Sequence, residues 1–208
     1  MYSQKKEDHV IWDYFKDKPP GNFLDIGAND GRLFSNSLWL IEQGWGGVMV
    51  EPSPKAFTEL VKNHGENPKI YLRYYAITDH DGEVIFYDSG SVKVTGRHKN
   101  SALVSTIHAD YVPHWKRRSV PFDEIKVPCK TFSSFLEDSP IKKFQFITID
   151  AEGEDFNILK QMNLNDINCE FICIEHDKKA LMDTFIKMIE PQGFHYVTHT
   201  QVNLLMAK

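Results

Sequence analysis

The apolar positions of this chain alternate between short continuous runs and helical stripes. Asn22–Ile26, Gly47–Val50, Ile70–Thr78, Phe144–Asp150 and Phe171–Glu175 are apolar runs bounded by turn residues. Their length and flanks predict buried strands. Between them the spacing changes to about 3.6. In residues 5–17, Val10, Ile11, Tyr14 and Phe15 form one stripe, ended by Pro19-Pro20-Gly21. Ser35–Gln43 carries Leu38 and Ile41 and stops at Gly44. Ser53 has the character of an N-cap with Pro54 at the first helical position, and its helix carries Phe57, Leu60 and Val61. Further helices are expected over Thr131–Leu136, Asp155–Met162 and Lys178–Ile189.

Asp81-Gly82 predicts a hairpin that returns the third strand through Val84–Tyr87. Ile125–Cys129 predicts another short strand. Phe194–Thr198 and Val202–Met206 predict a closing antiparallel pair. Strands alternating with helices specify an α/β fold, a mostly parallel sheet with helices on both faces. The whole chain is expected to form one domain, with an N-terminal helix inside residues 1–20 and an insertion over 88–128. Residues 88–120 have no period, and such a stretch in a compact domain predicts a lid or binding loop.

Composition narrows the class. The chain has 208 residues, 24 Lys plus Arg, 29 Asp plus Glu and a net charge of −5. That balance gives no global pull toward a phosphate backbone, so a nucleic-acid partner is not expected. The three cysteines, Cys129, Cys169 and Cys173, show no disulfide or zinc spacing. Cys169 and Cys173 would share one face if both lay in a strand. Met1–Val10 has no apolar core of a leader, and no apolar run approaches the length of a membrane span. The expected setting is cytoplasmic, with no membrane partner.

Ligands of such sheets bind at the carboxyl ends of the strands. After the first strand comes Asp25-Ile26-Gly27-Ala28-Asn29-Asp30-Gly31. The dinucleotide fingerprint fails there, because Asn29 stands where the second glycine would make room for pyrophosphate. Asp25 and Asp30 would repel a phosphate and suit a cation. Glu51 follows the second strand and can accept both ribose hydroxyls of an adenosine. Together the turn and the acid argue for an adenosine cofactor without clustered phosphates. Ala76-Ile77-Thr78-Asp79 follows the third strand and could floor an adenine. Asp150, Glu152 and Glu154 cluster after the fourth strand, and Glu175-His176-Asp177 follows the fifth. His176 is a candidate general base, oriented by neighbouring carboxylates. Asp150, Glu152, Glu175 and His176 could instead hold a hard cation.

These segments, with Val48-Met49-Val50-Glu51-Pro52, Thr148-Ile149-Asp150-Ala151-Glu152-Gly153, Leu159-Lys160, Ile174-Glu175 and Asn203, resemble the FkbM-type S-adenosylmethionine-dependent methyltransferases. The resemblance runs from about residue 22 to the C-terminus. It implies a class I methyltransferase fold, Rossmann-like, with seven strands and an antiparallel C-terminal pair. It implies S-adenosylmethionine as cofactor and O-methylation of a sugar or other small-molecule hydroxyl. Carried over, Gly27 and Gly31 would line the cofactor, with Asn29 in the same loop. Asp25 would anchor the amino-acid end, Glu51 the ribose, and Ala76 and Ile77 the adenine. Asp150 would lie nearest the methyl. Two positions depart from the family pattern: Ala151 replaces a valine and Glu154 an aromatic residue.

As chemistry, methyl transfer needs a hydroxyl held in line behind the methyl and a base for its proton. His176 is the expected base and Asp150 a positioning group, with Glu152 beside them. A divalent cation is compatible with the acids but not required. Lys116-Arg117-Arg118, beside Trp115, could grip an anionic or sugar-like acceptor, or lie in a solvated loop. Three other readings compete: a NAD-dependent oxidoreductase, a nucleic-acid methyltransferase and a non-catalytic binding module.

Overall fold

The computed structural model describes residues 2–89, 103–118, 120–176 and 178–208. Helix α1 (Glu7–Phe15) is followed by β1 (Asn22–Ile26), α2 (Leu38–Glu42), β2 (Gly46–Val50), α3 (Pro54–His64) and β3 (Ile70–Arg73). Then come β4 (Ala76–Ile77), β5 (Gly82–Asp88), α4 (Val112–Lys116), β6 (Asp123–Lys130) and α5 (Phe132–Asp138). The chain ends with β7 (Phe146–Ile149), α6 (Asp155–Lys160), β8 (Phe171–Glu175), α7 (Lys179–Ile189), β9 (His195–His199) and β10 (Asn203–Ala207).

The main sheet has seven strands in the order β3-β2-β1-β7-β8-β10-β9. β3, β2, β1, β7 and β8 run parallel, and β10 lies antiparallel to both β8 and β9. The parallel strands are almost wholly apolar because both faces are covered. Alternation sends Leu24, Val48, Ile147, Ile172 and Leu204 to a core that includes Phe135 of α5, Ile158 of α6 and Phe185 of α7. It sends Phe23, Met49, Phe146, Phe171 and Leu205 to a second core with Ile11 and Phe15 of α1, Leu40 of α2 and Leu60 of α3. Fully burying each such side chain is worth about 1.5–3 kcal/mol. Chain order reverses between β1 and β7, so the switch-point crevice opens at their carboxyl ends.

The expected third strand divides. β3 stays in the main sheet, while β4 leaves it and pairs parallel with β6. The expected hairpin is not formed. β5 pairs antiparallel with β6 over Gly82–Asp88, giving a small sheet ordered β4-β6-β5. The reason lies in Asp81. Its carboxylate accepts from Thr131 N at 2.6 Å and Ser134 Oγ at 2.5 Å, at the start of α5, which draws residue 81 away from a local turn. Thr131, the residue after β6, caps α5 by accepting from Ser134 N. Cys169 precedes β8 and packs in the first core, whereas Cys173 lies within β8 in the second. The two therefore do not share a face. Asn36 Nδ2 does reach Cys173 Sγ at 3.7 Å. Among the described residues no helix is long and apolar enough to cross a membrane.

Candidate active site

The strand ends of β1, β2, β4, β7, β8 and β10 open on one cavity of about 1040 Å³. Gly27 builds its floor. Its φ of +84° suits glycine, and a β-carbon there would lie 1.7 Å from the Asp150 carbonyl oxygen. That contact brings the turn after β1 against the turn after β7. Gly27 N and Ala28 N both donate to Val50 O, which adds the end of β2. Asn29 follows with φ +50°, a left-handed conformation that asparagine tolerates better than most residues. Its N–H donates to Glu51 Oε2 at 2.8 Å, and Ser53 N donates to Oε1 at 2.7 Å.

Burial dominates the titration of both acids here. It lifts Glu51 to about 7, against the pull of the two amide donors. Asp25 is lifted to about 6 by burial, while Ser37 Oγ, donating at 2.5 Å, pulls the other way. Asn36 stands beside them. Its Nδ2 donates to Thr148 Oγ1 at 3.2 Å, and its buried Oδ1 has no hydrogen-bond partner among the described residues. Ala76 and Ile77, both buried, form an apolar wall of the same cavity.

The turn after β7 is held by its own next helix. Asp155 accepts from Ala151 N at 2.9 Å and Gly153 N at 3.1 Å. Glu152 sits within that clasp at φ +48°, a conformation that costs a non-glycine residue about 1 kcal/mol and marks functional turns. One carboxylate oxygen from each of Asp150, Glu152 and Glu175 falls within 4.8 Å of the others. Asp150 opens onto the cavity, yet the surrounding protein desolvates it and lifts it to about 6. Burial and then its acidic neighbours raise Glu152 and Glu175 well above the usual carboxylate range. His176 is buried, lines the cavity and is tied by its N–H to Val202 O.

Of the sequence-derived candidates, Asp25, Gly27, Asn29, Glu51, Ala76, Ile77, Asp150, Glu152 and His176 converge on this cavity. Gly31 does not line it. A β-carbon at Gly31 would meet His64 and Leu60 of α3 at 2.6–2.7 Å, so that glycine serves helix packing. Asp79 also stays outside. It is exposed and pairs with His80 Nδ1 at 2.8 Å. Asp177 and residues 90–102 and 119 of the expected insertion lie outside the described residues.

The basic run takes the solvated place of its two expected ones. Lys116, Arg117 and Arg118 are exposed and none lines the cavity, whereas Tyr111, His114 and Trp115 do. Their spacing of three and four residues puts these three on one face of α4 and its first turn. That spacing was the available signal for a short helix inside the unpatterned stretch. The segment is fastened to the β7–α6 turn. Thr106 Oγ1 donates to Glu152 O at 2.7 Å, and His108 Nε2 lies 3.0 Å from Glu154 Oε2. Glu154, a departure from the family pattern, is thus a buried anchor for His108. The ion pair raises the His108 pKa. Ser35, Asn36, Thr148 and Asn203 also line the cavity. Of these, Thr148 and Asn203 had a signal in the sequence, as residues of the family resemblance.

A family model, the methyltransferase FkbM domain, matches residues 25–205. The chain belongs to this family. No curated protein sequence matches it. Among solved structures, the FkbM-domain chain is similar to the precorrin-6y C5,15-methyltransferase of Geobacter metallireducens GS-15, with a TM-score of 0.51 and 11% identity over 99% of this chain and 92% of that one. The ribosomal protein L11 methylase of Lactobacillus delbrueckii subsp. bulgaricus also scores 0.51, at 10% identity, covering 97% and 77%. The MTase domain of METTL16 scores 0.51 at 13% identity, covering 96% and 65%. At such identities the likeness establishes the class I methyltransferase fold, and the family makes the chain a methyltransferase.

Proposed function

We propose that this FkbM-domain protein transfers the methyl group of S-adenosylmethionine to a hydroxyl of a neutral, polyhydroxylated small molecule such as a sugar. One observation carries the reading: Asp25, Glu51 and Asp150, from three strand ends, line a single cavity large enough for both a cofactor and an acceptor. The donor set fits the cofactor. Glu51 uses one lone pair of each oxygen on Asn29 and Ser53 and keeps others for ribose hydroxyls. The apolar wall of Ala76 and Ile77 suits an adenine face. The Asn36 carbonyl oxygen, buried without a partner among the described residues, suits an ammonium donor. Bound there, S-adenosylmethionine supplies an electrophilic methyl on a positively charged sulfur.

The chain's own groups then have separate tasks. Asp25 and Asn36 hold the amino-acid end. Asp150 and Glu152 place carboxyl groups around the reacting centre; burial raises the pKa of both, and their ionised forms favour a sulfonium there. Tyr111, His114 and Trp115 cover the acceptor side and exclude water. His176 takes the hydroxyl proton as the oxygen–carbon bond forms, the carbon–sulfur bond breaks and sulfur keeps the electron pair. The acids that line the cavity oppose a phosphorylated acceptor or a nucleic-acid backbone. Lys116–Arg118 are exposed and outside the cavity, so they do not argue for an anionic acceptor, although Lys178 lines it.

Incubation with methyl-labelled S-adenosylmethionine and separate pools of sugars, carboxylates and RNA tests this reading. Label is expected in a hydroxyl of the sugar pool. Transfer to RNA alone would overturn it.

A further inference from the structure

Beyond the cofactor, the acid cluster after β7 and β8 has the shape of a second binding site. Asp150, Glu152 and Glu175 come from two different strand ends. Each places a carboxylate oxygen within 4.8 Å of the other two. That spread is compatible with coordination of one ion by three oxygens at about 2.0–2.6 Å each. An acidic cluster alone is an ordinary feature of surfaces, so a separate observation must indicate a ligand.

Asn203 supplies that observation. It opens β10 and lies opposite Glu175 in the antiparallel ladder, so the two side chains share a face of the sheet. Both line the cavity. Asn203 is 5% exposed. Its amide nitrogen is used: Nδ2 donates to Glu7 Oε1 at 3.1 Å. Glu7 is itself held by Thr200 Oγ1 and Lys5 N, which sets the orientation of the Asn203 amide. Among the described residues the Asn203 carbonyl oxygen is left with no partner. Leaving a buried acceptor without a donor is costly, so natural structures rarely keep one without use.

We propose that Asp150, Glu152 and Glu175, with the carbonyl oxygen of Asn203, bind one divalent hard cation. The site rests on the methyltransferase reading for its purpose but not for its existence. All four donors are oxygens, the set chosen by Mg²⁺, Mn²⁺ and Ca²⁺ rather than by zinc or copper. The coordination sphere stays open toward the cavity. Two vicinal hydroxyls of an acceptor would fill it, which orients one hydroxyl toward the methyl and lowers its pKa. A diol-bearing acceptor is therefore the class this site selects. A monohydroxylated one would be held less well.

Mn²⁺ titration followed by electron paramagnetic resonance tests the site with the metal alone on the intact, chelator-treated protein. Binding of S-adenosylhomocysteine is measured on the same samples by calorimetry. Wild type is expected to take up one Mn²⁺ per chain. Glu175→Gln should weaken uptake about tenfold or more, and Asn203→Ala should weaken it as well, with S-adenosylhomocysteine affinity largely kept. Glu152→Gln, on a turn rather than a strand, gives a second carboxylate variant should Glu175→Gln fail to fold. No specific Mn²⁺ uptake by wild type, or uptake unchanged in both carboxylate variants, would overturn the site. Loss of S-adenosylhomocysteine binding with Mn²⁺ uptake intact would instead overturn the cofactor reading and leave the metal site standing.

Discussion

The α-carbon of Gly27 is packed so closely on Asp150 that a β-carbon would lie 1.7 Å from its carbonyl oxygen. The contact joins the turn expected to hold the cofactor to the turn expected to hold the reacting centre. Gly27→Ala adds a backbone clash to a strained φ, and should destabilise the protein by more than about 2 kcal/mol. Ala28→Gly, one residue on, should cost less. Thermal denaturation of the two variants checks this. Equal midpoints would mean that the turns are not locked together.

Glu51 should release a proton when the cofactor binds. Its carboxyl stands at about 7 in the free protein, against an ordinary 4.5. Ribose hydroxyls donate to the ionised form and pull that value down. Affinity for S-adenosylhomocysteine should therefore rise with pH up to about 7 and then level. Calorimetry in two buffers of different ionisation enthalpy would show the released proton, and Glu51→Gln would abolish it while weakening binding. A buffer-independent enthalpy would contradict the assignment.

The same burial sets a stability trend for the free protein. Asp25 and Glu51 keep their protons in the folded state at pH values where the unfolded chain has lost them. The folded state then binds more protons, so stability contributed by these groups is full below about 4 and falls as pH rises to about 7. Saturating cofactor should flatten that fall. Denaturation midpoints from pH 4 to 8, with and without S-adenosylhomocysteine, test the point. Parallel curves would count against it.

His108 and Glu154 fasten the segment around α4 to the β7–α6 turn. The raised pKa of His108 means that the ion pair strengthens docking while the imidazole is charged, and that this is lost as pH rises through the raised value. Glu154→Gln should speed amide hydrogen exchange across residues 103–118, and more at pH 6 than at pH 8. Unchanged exchange would show that Tyr111, whose ring a β-carbon at Gly153 would meet at 3.2 Å, holds the segment without the pair.

His176→Asn should lower turnover about 10²–10⁴-fold if the imidazole takes the acceptor's proton. S-adenosylhomocysteine affinity should stay within a few-fold. The pH profile of the variant should lose the limb that reports the base. A small drop with the limb retained would transfer the base to Asp150, whose carboxyl stands at about 6.

The strand ends were legible because a buried parallel sheet leaves few places for polar residues. An acid after an apolar run, as at Asp25, Glu51 and Asp150, stands out against it. Paired glycines were less informative. Gly27 and Gly31 look alike in the chain, yet one faces the cavity and the other faces α3, a difference set by tertiary packing. The small sheet was hidden for a similar reason. Val84–Tyr87 has the pattern of a returning strand, but its partner lies across the unpatterned stretch, and Asp81 is spent on the start of α5. Asn36, Thr148 and Asn203 are single polar residues whose meaning depends on which face they occupy. The basic run left two readings open, gripping an acceptor or lying in water, because charge says nothing of helix phase: α4 sets Tyr111, His114 and Trp115 along the cavity and leaves the cations in water.

The central claim is that this cavity binds S-adenosylmethionine. Thermal unfolding with S-adenosylmethionine, S-adenosylhomocysteine and NAD tests it most directly. A ligand at about 100 times its dissociation constant stabilises the folded state by about 2.7 kcal/mol, which raises the midpoint of a chain this size by about 5–11 °C. The account predicts that rise with the two methionine-derived ligands, little with NAD, and its loss in Glu51→Gln. A rise with NAD alone, or none with either methionine-derived ligand, would contradict it.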